Sequence, residues 1–300
     1  SATAGEMSVS GGTNIYVGNS GATTKATWSM DNHVTFSGTT ELDNGFEVTY
    51  SVEFDGDEGD NGEGLDSNSI KVNTNGMGTV VFAGHGGSSA MSMMDDKTPN
   101  AYEEAWDGLD SGSTAVVING YSGNNMITYT SESFSGAVFT VAWIPSEATA
   151  STGNKSTYVD YGVTITPEMV DGLSLGYAAG TTEITADTEV DESTMYAKYA
   201  IDSFTIGVQD NSVDSQASLA DRDFRAYGVS YAVNEDITVS YNTSKRDKEG
   251  TNDDQEASAI GISYTNGGIT IGAHSATIDN ANGTATADHK VYELGFTFAF

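Results

Sequence analysis

Hydrophobic and polar residues alternate along most of the chain. In the last segment Tyr292, Leu294, Phe296, Phe298 and Phe300 alternate with Glu293, Gly295, Thr297 and Ala299. Phe46, Val48, Tyr50, Val52 and Phe54 alternate in the same way with Glu47, Thr49, Ser51 and Glu53. Shorter versions recur at Leu173, Leu175 and Tyr177, at Phe204, Ile206 and Val208, at Ile237, Val239 and Tyr241, and at Ile260, Ile262 and Tyr264. Successive side chains of a strand point to opposite faces, so each run predicts a strand with one apolar face and one small or polar face.

Tight turns such as Asp43-Asn44-Gly45, Asn75-Gly76, Asp202-Ser203, Asn234-Glu235-Asp236 and Asn266-Gly267-Gly268 join pairs of runs. Asn-Gly and Asp-bearing turns are a strong local hairpin signal. On the other side of each hairpin the connections read longer and acidic, as at 55–66, 181–192, 211–221, 246–256 and 279–288. Short turns at one end and long loops at the other suit a transmembrane β-barrel. About 16 strands are predicted, near 7–17, 29–42, 46–54, 67–74, 79–84, 124–131, 134–144, 158–166, 173–180, 194–201, 204–209, 224–233, 237–245, 257–265, 269–278 and 290–300. That count is even, as single-chain outer-membrane barrels require. A soluble sandwich also alternates. Lipid is favoured by Tyr50, Phe54, Tyr161, Tyr177, Tyr199, Tyr231, Tyr241 and Tyr264 near the ends of the apolar faces, which suit interfacial girdles.

Composition narrows the function. Against 43 Asp and Glu stand 11 Lys and Arg, a formal net charge of −32. A nucleic-acid binder is excluded because too few cations are available to neutralise phosphate. With no cysteine, disulfide frameworks, thiolate zinc sites and thiol nucleophiles are excluded. No Gly-x-Ser-x-Gly or His-Glu-x-x-His occurs, and His33, His85, His274 and His289 are scattered, so the chain reads as a non-enzyme. The opening Ser1-Ala2-Thr3-Ala4-Gly5-Glu6 is small and polar, the character expected after signal cleavage.

Three stretches carry a resemblance. Residues 36–46, Phe-Ser-Gly-Thr-Thr-Glu-Leu-Asp-Asn-Gly-Phe, resemble the second hairpin of the Gram-negative general diffusion porins, most closely the alphaproteobacterial type. Residues 125–136, Asn-Met-Ile-Thr-Tyr-Thr-Ser-Glu-Ser-Phe-Ser-Gly, are similar to a further hairpin of that family, with Glu132 where proline is usual. The closing strand ending in Phe300 matches as well. The resemblance covers the whole chain. It implies one porin domain over 1–300, an all-β, 16-stranded antiparallel transmembrane barrel with an inward-folded constriction loop at 85–119. It further implies an integral outer-membrane homotrimer in contact with bilayer lipid and lipopolysaccharide, passing ions and small hydrophilic solutes without a cofactor. A substrate-specific uptake channel and a soluble secreted β protein are the competing readings.

Candidate residues follow. In the constriction loop they are Asp95, Asp96, Lys97, Glu103, Glu104, Asp107 and Asp110. The acids are expected to face water while Met94, Ala101, Tyr102, Ala105 and Trp106 pack on the wall. Strand phase places Lys71, Lys198, His33, His274, Glu47, Glu53, Asp160 and Glu293 on the inner face. Asp31 and His33 stand where relatives carry wall arginines. This mainly acidic lining predicts cation preference, because charge at a narrow mouth concentrates the opposite ion. Tyr158 and Tyr196 are the clear inward aromatics, too few for a sugar track. Asp55, Asp57, Asp60, Glu63 and Asp66 make an oxygen-rich, glycine-spaced loop that suits structural calcium, although the spacing is not an EF-hand.

Overall fold

The computed structural model describes residues 5–19, 25–56, 64–106, 122–148, 155–185, 188–216, 221–251 and 253–300. Its strands, in chain order, are β1 (Glu6–Gly18), β2 (Thr27–Glu41), β3 (Glu47–Asp55), β4 (Ser67–Asn73), β5 (Thr79–His85), β6 (Gly87–Ser88), β7 (Ser122–Gly123), β8 (Met126–Thr130), β9 (Ala137–Ala148), β10 (Lys155–Ile165), β11 (Leu173–Thr185), β12 (Thr188–Ile201), β13 (Phe204–Ser215), β14 (Arg222–Ala232), β15 (Ile237–Lys248), β16 (Gln255–Asn266), β17 (Ile269–Asp279) and β18 (His289–Ala299). Sixteen of them close into one barrel in which each strand pairs antiparallel with its sequence neighbours and β1 pairs with β18. The two-residue strands β6 and β7 pair separately as a small ribbon between β5 and β8.

Every predicted strand has its counterpart in the barrel wall. The difference lies at the end with the long connections, where several strands run further than the hydrophobic alternation shows. β11 reaches Thr185 and β12 starts at Thr188, β13 continues to Ser215, and β15 continues to Lys248. Much of what reads as acidic loop is therefore hairpin. The ladder continues there because β-branched Thr and Val fit a pleated backbone whichever solvent they face, as at Thr181, Thr182, Thr188, Val190 and Val213. The tight turns lie at the opposite end. Ser135 and Gly136, both at positive φ (50° and 82°), close the β8–β9 hairpin, in the geometry that matches strand twist.

Cross-strand partners share a face, so the pairing registers divide the wall into two surfaces. On one lie the exposed apolar side chains Val9, Phe36, Tyr50, Phe54, Ile70, Phe82, Trp143, Tyr161, Tyr177, Ile206, Tyr241 and Ile260. Phe36 and Phe54 meet edge to face at 6.2 Å. The other surface is built from glycine, alanine, serine, threonine and charge. There, buried residues occur on the β8–β18 arc, for example Ala142, Asp160, Ala178, Gln209, Asn242 and His274. The inward residues of β1–β4 remain partly or fully accessible.

Candidate functional site

Much of the asymmetry of the inner face comes from one segment. The chain between β5 and β8 turns in over the wall, and the first described stretch of it, residues 86–106, is held there by wall side chains. Thr128 donates its hydroxyl to Ser88 O at 2.9 Å. The Met91 N–H donates to the Asp160 carboxylate at 2.8 Å. Gln209 donates from Nε2 to the carbonyls of Met94 (2.6 Å) and Asp95 (2.7 Å), and its Oε1 accepts the Lys97 N–H at 2.8 Å. The Ala101 N–H reaches Ser240 Oγ at 2.9 Å, and the Ala105 N–H reaches Asn242 Oδ1 at 2.7 Å. A buried backbone group must be paired, and here inward polar side chains of β10, β13 and β15 supply the partners that a regular element would otherwise provide.

Close approach requires small residues underneath. Gly207 and Gly228 are cross-strand partners on β13 and β14, and a Cβ on either would collide with Pro99. Gly272 and Gly295 are partners on β17 and β18, and a Cβ on either would overlap the Tyr102 ring. Tyr102 also donates its hydroxyl to Glu293 at 2.6 Å and stacks obliquely on His274 at 6.0 Å. Burial, reinforced by the Glu293 hydrogen bond and charge, pushes the Tyr102 phenol well up from its ordinary value. Trp106 meets Phe224 edge to face at 4.9 Å, and Met91, Met94, Ala105 and Trp106 are buried in one apolar cluster with inward residues of the wall.

Asp160 is fully buried. Besides Met91 it accepts the Tyr158 hydroxyl at 2.9 Å and the Ala142 N–H at 3.1 Å. It is a structural anchor rather than a water-facing charge. Register places Asp31, His33, Glu47, Glu53 and Lys71 on the accessible inner face of β2–β4, with Glu293, His274 and Lys198 inward on β18, β17 and β12. Asp31 accepts the Asn14 N–H at 3.2 Å, and Glu53 accepts the Thr35 hydroxyl at 2.5 Å.

Among the loop acids, Asp96 is exposed and Asp95 and Glu103 are half-buried. Glu104 departs from the expectation of facing water: it is buried at 6% exposure and accepts a hydrogen bond from Asn100. Its neighbours Ala105 and Trp106 sink into the wall and carry it with them. Asp107 and Asp110 lie outside the described residues. So do Asp57, Asp60 and Glu63 of the oxygen-rich loop. Of its remaining members, Asp55 sits opposite His33 on β2, while the Asp66 N–H donates to Glu53 O at 3.0 Å. Among the described residues no group of three or more His, Cys, Asp or Glu could hold a metal ion.

Sequence reading missed the neutral anchors Gln209, Ser240 and Asn242. A signal for two of them exists: Gln209 and Asn242 are amides at inward positions flanked in their rows by small residues, Gly207 beside the first and Ser240 and Ser244 beside the second. It also missed the inward aromatics Tyr16 and Phe224 and the buried Arg246, which donates to Gln255 Oε1 at 3.2 Å and Asn282 Oδ1 at 3.5 Å.

A closed barrel with an apolar exterior, a polar interior and a chain segment folded against the inner wall defines the class: a membrane-spanning β-barrel of the channel type. The family model described as Gram-negative porin matches residues 1–265. The chain belongs to that family and is an integral outer-membrane protein forming a porin channel. Among curated proteins none matches. Solved structures share the fold at low identity. A loop-deletion mutant of OmpT, an outer membrane protein of Vibrio cholerae, has a TM-score of 0.75 at 17% identity, with 99% of this chain and 100% of that one covered. A mutant of the Rh. blastica porin has a TM-score of 0.72 at 18% identity, covering 98% and 100%. An anion-selective porin from Comamonas acidovorans has a TM-score of 0.69 at 15% identity, covering 98% and 99%.

Proposed function

We propose that this porin is a passive, cation-preferring diffusion channel for ions and small hydrophilic solutes, constricted by the segment between β5 and β8, and that it works as a homotrimer. One observation carries the selectivity. The segment covers the β8–β18 arc, so the water path runs along β1–β4, and the accessible inward charges there are mainly acidic. Glu6, Asp31, Glu41, Glu47 and Glu53 stand against Lys71 and His33, with Glu293 alongside. In a narrow low-dielectric passage such a lining raises the local cation concentration. The Comamonas acidovorans protein of this fold is anion-selective, so the side chains and not the barrel set the sign.

Against a substrate-specific channel stands the placement of the inward aromatics. Tyr158, Tyr196 and Phe224 are buried, and among the described residues of β1–β4 Tyr16 is the single inward aromatic, which makes no track along the water path. The measurement is the reversal potential in a planar bilayer under a KCl gradient. A cation-selective value supports the reading, and a zero or anion-selective value overturns it.

The trimer reading rests on wall height. A membrane-spanning strand needs about 9–11 residues, yet β4 and β5 have 7 residues each and β8 has 5. The outward apolar residues of this low wall, Ile70 and Phe82 among them, are covered by a second copy and not by lipid alone. OmpT of Vibrio cholerae, of the same fold, has been solved in a trimer form.

A further inference from the structure

A second stretch of chain lies against the inner wall. The connection between β17 and β18, residues 280–288, turns back over β16 to β15. Its Asn282 N–H donates to Gln255 Oε1 at 3.0 Å. Arg246 donates to the same oxygen at 3.2 Å and reaches Asn282 Oδ1 at 3.5 Å. Asn280 donates from Nδ2 to Asp254 O at 3.2 Å. Gln255 and Arg246 are cross-strand partners, and alternation puts them on the inward face with Asn242 and Ala257. Ala281 is buried in the same apolar cluster as Trp106, and Ala287 packs against it. The connection therefore sits inside the mouth of the barrel and not above its rim.

Its backbone holds this shape at a local cost. Asn280, Asn282 and Thr286 take positive φ (53°, 62° and 66°), and so does Gly283 at 68°. A β-branched residue rarely adopts that region, and such strain persists only where the surroundings fix it. The Ala281 N–H donates to Ala287 O at 2.9 Å and the Asn280 N–H to Asp288 Oδ1 at 3.2 Å, which closes the loop on itself. A Cβ on Gly283 would collide with Thr251, so the close approach to the end of β15 requires glycine.

Phe224, Arg246 and Gln255 form one inward row across β14, β15 and β16. The row runs from the seat of Trp106 to the seat of Asn282, so the segment after β5 and the β17–β18 connection meet on one shelf. Arg246, within that row, is 2% exposed. Burying a guanidinium is costly, and here it withdraws a cation from a mainly acidic lining. We propose that the β17–β18 connection is a second constricting element of the pore, which narrows the mouth at the long-connection end and screens Arg246 from permeating ions. The proposal rests on the diffusion-channel reading but not on its sign of selectivity, because a newly wetted guanidinium shifts permeability toward anions from any starting value.

The test uses the full-length protein in planar bilayers and in liposomes, with folding of each variant verified by heat-modifiable migration on a gel. Gly283→Val drives the connection off Thr251. It is expected to raise single-channel conductance about 1.5-fold and to speed liposome swelling in a trisaccharide more than in a monosaccharide. It is also expected to lower the potassium-to-chloride permeability ratio by about twofold. Gln255→Ala removes the shared acceptor without changing the connection, shifts all three readings in the same direction, and carries the test alone if the valine variant does not fold. The double variant Gly283→Val/Arg246→Gln keeps the larger conductance and regains the original ratio. Folded variants with unchanged conductance and swelling overturn the second constriction. A ratio in the double variant as low as in Gly283→Val overturns the screening of Arg246. If the unmodified protein is anion-selective yet shows these same shifts, the cation-preferring reading fails and the second constriction stands.

Discussion

Tyr102 and Glu293 are 191 positions apart in sequence and share a 2.6 Å hydrogen bond, the phenol donating to the carboxylate above the Gly272–Gly295 pair. This contact ties the far reach of the inward segment to β18. Removing only the hydroxyl, as in Tyr102→Phe, is expected to cost about 1.5–3 kcal/mol, the range for a bond to a charged group. Gly272→Val fills the space that the ring occupies and is expected to cost about 1–3 kcal/mol by overpacking. Single-channel recording separates the two. The Phe variant keeps the ring seated and changes mean conductance little while adding current noise. The Val variant drives the ring into the water path and lowers conductance.

The same phenol gives a pH dependence. Burial and the neighbouring Glu293 hold the Tyr102 proton on beyond the ordinary phenol value of about 10. A group whose folded value is raised stabilises fully below the unfolded value and loses that stabilisation as pH rises toward and through the folded one. Thermal unfolding in detergent is therefore expected at falling temperature above about pH 10. Tyr102→Phe, which has no proton to lose, falls less steeply over the same range. Parallel curves for the two proteins count against this assignment.

Asp160 offers a sharper perturbation, because its two oxygens serve Met91, Ala142 and Tyr158 together. Asp160→Ala leaves the Met91 N–H, at a residue with 0% exposure, without its acceptor. An unsatisfied buried group costs about 1–3 kcal/mol. Loosening of this anchor is expected to show as proteolytic cleavage within residues 89–98 in folded barrels, at sites protected in the unmodified protein. Unchanged protection in the variant would show that the remaining anchors suffice.

The barrel was legible in the sequence because a strand buried on neither side still separates two solvents, and that separation prints period-two alternation. Tyr292 to Phe300 shows it most clearly. The legible part ends where both faces are wet. At Thr181, Asp191 and Asp214 the outward residues turn polar above the apolar band, so pairing continues without a hydrophobic signal and the hairpin of β11 and β12 reads as loop. The inner face was legible in phase but not in burial. Alternation sends Asp160 and Glu53 to the same side, yet one is sealed under Met91 and the other borders water. That difference arises from a segment distant in sequence, and no local pattern carries it. Glu104 makes the same point within the segment itself: its charge argues for water, and the burial of Ala105 and Trp106 beside it prevails.

Selectivity is expected to respond unequally to inward charges, according to which of them border the water path. Glu53→Gln and Asp31→Asn each remove an accessible carboxylate and are expected to lower the potassium-to-chloride permeability ratio by about two- to threefold, with the double variant lower still. Lys71→Gln, on the same open wall, raises the ratio. Asp160→Asn, sealed from water, leaves it within experimental error. These are reversal-potential measurements at about 0.1 M salt, where the Debye length is ~10 Å and exposed charges are still felt across the passage. At 1 M, with a Debye length of ~3 Å, the differences shrink. A response to Asp160→Asn as large as that to Glu53→Gln would mean that the water path follows the β8–β18 arc instead.

The low wall and the tall wall are expected to separate assembly from insertion. Ile70 on β4 and Ile260 on β16 are both exposed apolar residues on the outward face, at 44% and 64%. β4 is 7 residues long and β16 is 12. An arginine facing lipid near the midplane costs about 2–4 kcal/mol. Ile260→Arg should therefore impair folding into bilayers of the single chain while leaving folded chains trimeric in detergent. In the proposed trimer Ile70→Arg would face a second copy of the same residue region and bring three guanidinium groups toward one axis, so the folded protein is expected to run as a monomer by light scattering coupled to size exclusion. If Ile70→Arg remains trimeric and Ile260→Arg dissociates, the subunit contact lies on the tall side. The short strands β4, β5 and β8 would then meet lipid directly, with the bilayer thinned around them.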